Sequence, residues 1–235
     1  MNNKYELTSE TKEHLGRTLY RIRAARDIGD ILHIGYTPAG SVGGWIESEN
    51  NLATEGGSWV YHNAAVYDNA RVYGNARIFG NAEVYGSARV VGEARVCDEA
   101  RVYDEAWVYD KALVYDKAIV YDESLIYDEA QVYGYAEVCG TAEIYDHALV
   151  YDKAKIFEEA RVYGAAQVYN GAQIYGNAWI CGRAQVYGEA KVYGKSQVFH
   201  KAQVYDNATV CDSAWVYDNS RVYGNARVCG EERLY

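Results

Sequence analysis

The chain has 235 residues with 22 Gly and a single Pro, and 49% of it is hydrophobic. This excludes collagen, Pro-rich linkers and intrinsic disorder, and leaves length for one or two domains with a buried core. A formal net charge of −10 argues against a basic nucleic-acid-binding face. No apolar run approaches the roughly 20 residues that a membrane helix needs. The N-terminal MNNKYELTSETKEH has no signal-peptide core, so a cytoplasmic location is the default expectation. One count has no ordinary explanation: 25 Tyr stand against 3 Phe.

Residues 1–57 read as an N-terminal β capping segment. YELT from Tyr5 and TLYRIRA from Thr18 have strand character, with Gly16 in the turn between them. Thr37-Pro38-Ala39-Gly40 and Gly43-Gly44 read as punctuation. A repeat that follows needs its first unit covered, because an open end exposes strand edges and apolar core. Trp45 and Ile46 are the residues expected to plug that end.

Residues 58–235 form the second segment. From Val60 an aliphatic residue recurs every six positions (Val66, Val72, Ile78, Val84 and onward to Leu234) and the step never slips. The unit is A-x-V-Y-G/D-x. Ala precedes the aliphatic residue by two from Ala64 to Ala226, replaced only by Ser124, Ser196 and Ser220. Four residues alternate as a strand and two make a turn, so Ala and Val share one face and x and Tyr the other. Position x holds Arg71, Glu83, Arg101, Lys155 and Gln167, which need water. Tyr has the same parity, so its rings face outward around a narrow Ala/Val core. Six-residue sides with small inward corners predict a three-sided parallel β-helix with about 18 residues per coil. About ten coils then make a prism roughly 48 Å long at the sheet spacing. Gly74, Gly134, Asp104 and Asn170 fall where positive φ is tolerated.

Residues one coil apart share a column. One face then carries Tyr115, Tyr133, Tyr151, Tyr169, Tyr187, Tyr205 and Tyr223 in an unbroken ladder. Beside it lie Leu113, Gln131, Leu149, Gln167, Gln185 and Gln203, with no charge at x along the run. A long, flat, uncharged aromatic face is an expected contact surface. Trp107, Trp179 and Trp215 fall on a second face as further binding candidates. Between Asp98 and Glu129 an acidic belt occupies successive turns, with Asp98 over Asp116, Asp104 over Asp122 and Asp110 over Asp128. Such stacking requires backbone N–H groups, Lys or a cation to compensate; Asx turns, in which Asp bonds its own backbone, are the expected arrangement, and no metal is assigned. The belt, with apolar Trp107, Leu113, Ile119 and Leu125 beside it, is a secondary docking candidate. At the far end Glu231, Glu232 and Arg233 charge the last coil, with Glu232 at the small inward position; end-to-end pairing of two chains is open there.

All five cysteines stand at the Tyr position: Cys97, Cys139, Cys181, Cys211 and Cys229. Only Cys211 and Cys229 stack in adjacent coils, about 4.8 Å apart, within disulfide range. In a reducing cytoplasm free thiols are expected. No zinc spacing, Ser-His-Asp pattern or phosphate loop is visible. His14, His33, His62, His147 and His200 are scattered, and no orienting partner or substrate pocket is evident for a general base.

The unit A-x-V-Y-G-N resembles the hexapeptide repeat of left-handed parallel β-helix proteins. The segment GGWIESENNLATEGGSWVYHNA, from Gly43 to Ala64, is similar to the cap of a family of uncharacterised bacterial and phage β-helix proteins labelled acyltransferase-like, as are KYELT and TLYRIRA. The left hand comes from this resemblance alone. The resemblance also implies trimers with a His between subunits, a loop that interrupts the repeat and an acyl-CoA donor; this chain lacks the loop. The expected function is a rod-like, non-catalytic interaction scaffold that binds a protein partner or a second copy through the Tyr/Gln face, with no cofactor, no direct nucleic-acid contact and no membrane contact. The alternatives are an acyl-CoA-dependent acyltransferase with His62 and His200 as first suspects, a phage-encoded inhibitor or acidic nucleic-acid mimic, and a glycan-binding surface.

Overall fold

The computed structural model describes residues 4–29 and 36–235. It is an all-β parallel solenoid of about eleven turns, three-sided, with 18 residues per coil. Strands β1 (Tyr5–His14), β2 (Arg17–Ala24) and β3 (Val42–Ile46) are followed by two-residue strands running from β4 (Trp59–Val60) to β33 (Arg233–Leu234). These make three sheets of 13, 10 and 10 strands. Each x-V pair is in register with the pair one coil on, as Arg95 is with Leu113 and Val96 with Val114.

Parity places the core as the sequence predicts. Ala64 to Ala214 and Val60 to Val216 at the inward positions belong to one contiguous apolar cluster. Where Ser replaces Ala, the hydroxyl finds a carbonyl: Ser124 Oγ donates to Tyr121 O at 2.7 Å, Ser196 Oγ to Tyr193 O at 2.8 Å and Ser220 Oγ to Tyr217 O at 2.7 Å. A buried hydroxyl is tolerated only with such a partner.

The residue after Tyr adopts positive φ in coil after coil, near 54–62° at Asp98, Asp104, Asp116 and Asp128. This explains the Gly/Asp/Asn choice, since L-residues with bulkier side chains resist that region. The turn is closed by the Ala N–H donating to the Tyr carbonyl, as Ala130 does to Tyr127 at 3.2 Å.

At the N-terminal end the winding begins ahead of the hexads. β3 pairs in parallel with Ala65–Val66, and Leu52 bridges Val72, so the first coil is longer than those that follow. A short 3-10 turn, Glu49–Asn51, precedes Leu52, and the added length falls after it, between Leu52 and Val60, which stand over Val72 and Ile78. β1 and β2 form an antiparallel hairpin that extends the same sheet. The pair Gly43-Gly44 lies inside β3, not in a turn: a Cβ at Gly44 would stand 2.6 Å from the Ala64 carbonyl oxygen. Of the two expected plugs, Ile46 joins the main core and Trp45 does not. Trp45 pairs with Ala65 at an outward position, packs with Leu19 and Tyr67, and lies under Lys12 and Arg21 at 4.9 and 4.8 Å. The large residue in the main core is Trp59, fully buried and edge-on to Tyr5 at 6.3 Å.

Buried Asn51 substitutes for a missing strand at this end. Its amide nitrogen donates to Asp68 O and Ala70 O, both at 3.0 Å, and its Oδ1 accepts from Ser48 N at 2.8 Å. Asn51→Leu would strand two carbonyls and an N–H. A loss of about 3 kcal/mol is expected, read as a lowered denaturant midpoint.

Candidate functional site

The 10-stranded sheet that carries Tyr115 to Tyr223 is the candidate surface. Consecutive rings of the ladder stack with centroids 4.7 Å apart at Tyr115–Tyr133 and 5.5 Å at Tyr205–Tyr223, and 4.8–4.9 Å between. Their planes lie within 13° of parallel. The sheet spacing alone sets this distance, so each ring buries its faces on its neighbours and offers an edge and a hydroxyl to solvent. Tyr115 through Tyr205 are half-buried and Tyr223 is exposed. Beside them the amides form their own ladder. Gln203 Nε2 donates to Gln185 Oε1 at 2.9 Å, Gln185 Nε2 to Gln167 Oε1 at 3.4 Å, and Tyr115 OH to Gln131 Oε1 at 3.4 Å. Burial, then the neighbouring phenol, pushes the Tyr115 and Tyr151 hydroxyls up to about 12, and burial raises those of Tyr133, Tyr169 and Tyr187 as well. The centre of the face is therefore neutral, ordered and hydrogen-bonding, with charge in turns at its rim such as Lys117 and Asp116 and at the flanking x positions Arg95 and Arg221.

The tryptophans are not part of this face. Trp107, Trp179 and Trp215 stand on the other 10-stranded sheet; Trp107 and Trp179 are four coils apart and Trp215 is two further on. Each is covered by a guanidinium: Arg89 lies 4.5 Å from Trp107, Arg161 5.8 Å from Trp179 and Arg233 4.5 Å from Trp215. They are three separate points rather than one site.

The acidic belt is resolved by the backbone of the neighbouring coil. Asp98 Oδ2 accepts from Asp116 N at 3.3 Å, Asp116 Oδ2 from Gly134 N at 3.1 Å and Asp122 Oδ2 from Gly140 N at 2.9 Å. The expected Asx turn onto the residue's own backbone is thus replaced by a bond to the next coil. Charge-assisted bonds of this kind offset the like-charge stacking.

The histidines do not converge. His62 Nδ1 accepts from Gly80 N at 3.4 Å, His200 Nδ1 is 2.7 Å from Asp218 Oδ1, His147 Nδ1 is 3.4 Å from Glu129 and His14 Nε2 is 3.2 Å from Glu83. His33 lies outside the described residues. His147 borders a groove of about 350 Å³ with Glu129, Lys111 and Gln131, but the two first suspects, His62 and His200, do not line it.

Cys211 and Cys229, expected as free thiols, are joined in a disulfide, with Cα atoms 4.6 Å apart. The register Thr209↔Arg227 and Val210↔Val228 brings the two cysteines, each just after its strand, opposite one another in adjacent coils. Cys97, Cys139 and Cys181 are free and half-buried. Arg227, which reaches both bonded sulfurs, is the residue that reading the sequence missed; its i, i+2 spacing from Cys229 was the available signal.

Three stacks of parallel two-residue strands in register, one of them extended by the antiparallel hairpin, and an outer surface of stacked rings define a three-sided β-solenoid. Residues 202–218, about one coil, are similar to the family described as YdcK Beta solenoid repeat. No curated protein matches the chain significantly.

Proposed function

We propose that the chain is a rigid interaction scaffold that acts without catalysis and associates through its Tyr/Gln sheet, with a second copy of itself as the partner. One observation carries this: a molecule of net charge −10 has six neighbouring strands on this sheet, from Leu113 to Gln203, with no charged residue at the outward x position. Two such chains repel over most orientations, and apposition of these central strands brings no charged x residues together. Its neutral centre and charged rim match the anatomy of protein interfaces. The side chains are already ordered by ring stacking and amide ladders, which lowers the entropy lost on docking. The N-terminal strands serve as the cap of the rod in this reading.

Light scattering across a concentration series tests it. The native chain is expected to run as a dimer or larger. Gln131→Lys combined with Gln185→Lys, placed three coils apart, is expected to weaken association by about 100-fold or more with the melting curve little changed. A native chain that stays monomeric at high concentration overturns self-association and leaves the face to a different protein.

A further inference from the structure

We propose that the Cys211–Cys229 disulfide, with Arg227 laid against both sulfurs, is a thiol–disulfide exchange site for a small soluble thiol. The site is on the 13-stranded sheet, away from the Tyr/Gln sheet, and the proposal is independent of self-association. Arg227 Nε is 3.2 Å from Cys229 Sγ, and Nη2 is 3.6 Å from Cys211 Sγ and 3.5 Å from the Tyr193 hydroxyl. A cystine sulfur is a weak acceptor, so these contacts contribute little while the bond is intact. They strengthen sharply once either sulfur becomes a thiolate. The guanidinium thus favours the leaving group more than the resting disulfide, which is the requirement for faster exchange.

Burial assigns the order of events. Cys211 is fully buried and Cys229 is half-exposed. An incoming thiolate therefore attacks Cys229 Sγ. The bond from the incoming sulfur to Cys229 forms, the Cys211–Cys229 bond breaks, and Cys211 leaves as a thiolate beside Arg227 Nη2. A second thiolate then attacks the incoming sulfur and releases Cys229. Two thiols have been oxidised to one small disulfide, the protein disulfide has been reduced, and the two protons given up by the incoming thiols go to the two cysteines. A carboxylate also lies against the pair: Asp212 Oδ2 is 3.8 Å from Cys211 Sγ. That oxygen already accepts from Gly230 N at 3.0 Å, which draws off part of its negative charge. Cys211, Asp212 and Cys229 lie within 4.8 Å of one another, a spacing that also suits a metal. The guanidinium among them opposes a cation and favours anionic sulfur.

Reduced glutathione is the probe, at neutral pH, with alkylation quenching and tryptic mapping. Cleavage after Arg221 and Arg227 puts the two cysteines in different peptides. The expected product is a glutathione adduct on Cys229, formed about tenfold more slowly in Arg227→Gln and near the native rate in Arg227→Lys. Circular dichroism of the exposed Arg227 variants checks that the fold is intact. An adduct mainly on Cys211, equal rates in Arg227→Gln and the native chain, or no exchange until the protein is unfolded would each overturn the proposal.

Discussion

Raising the pH above 10 is expected to unfold the protein in one steep transition, with the ladder tyrosines still protonated when it begins. An unfolded tyrosine ionises near 10. In the solenoid, burial and then the adjacent phenol push Tyr115 and Tyr151 up to about 12, and burial with Tyr103 beside it pushes Tyr85 to about 12. Burial raises Tyr109, Tyr133, Tyr145, Tyr169, Tyr175 and Tyr187 in the same direction. Between the unfolded and folded values the native chain holds protons that the unfolded chain has released. Stability from these groups is therefore complete below pH 10 and is lost as the pH climbs through the folded values. Many phenols act together, so the fall is steep. Buried Lys4 works against it: burial lowers its amine to about 8, so its share of stability grows as the pH rises from there toward 10.5. Burial lowers the Lys12 amine in the same direction, and two amines do not offset so many phenols. Near-ultraviolet phenolate absorbance and far-ultraviolet circular dichroism should change together. Phenolate appearing with a midpoint near 10 while the β signal persists would show that the rings are not packed as described.

Val150→Asp is expected to abolish folding of the central coils, whereas Leu149→Lys beside it is expected to cost well under about 1 kcal/mol. Val150 is fully buried in the continuous core and Leu149 is half-exposed on the Tyr/Gln sheet. A carboxylate at position 150 would lie in a core of Ala, Val and Ile, with no partner to accept its charge. Each coil rests only on its neighbours, so the damage spreads from that coil outward rather than remaining a point defect. Denaturant unfolding of the two variants separates the inward and outward parities. Equal losses at both positions would overturn the assignment of faces on which the contact surface depends.

Most of the candidate surface is legible in the sequence, because its two ladders follow from counting. Tyr151 and Tyr169 are one coil apart, and their stacking at 4.8 Å needs only three equal sides. The amide contacts between Gln167, Gln185 and Gln203 follow from the same count. The partners of the turn aspartates were not legible. A carboxylate at positive φ can turn to its own backbone or to the next coil, and the small translation between coils decides for the second, as at Asp122 and Gly140. Trp59, rather than the expected Trp45, fills the main core for a related reason. The first coil is longer than the rest, so the six-residue step cannot be extended backward through it.

The period, the inward and outward parity, the three-sided cross-section and the columns in which side chains stack are all written in the order of the residues. They depend on a short unit repeated without a break, where local backbone preference and burial agree. Which atoms meet across those columns emerges only when the coils are stacked: the carboxylate that bonds the coil above, the guanidinium that spans two sulfurs, and the asparagine that replaces a strand at the first turn. Those contacts depend on side-chain reach and on the offset between coils, and at the N-terminal end on a hairpin that no periodicity describes.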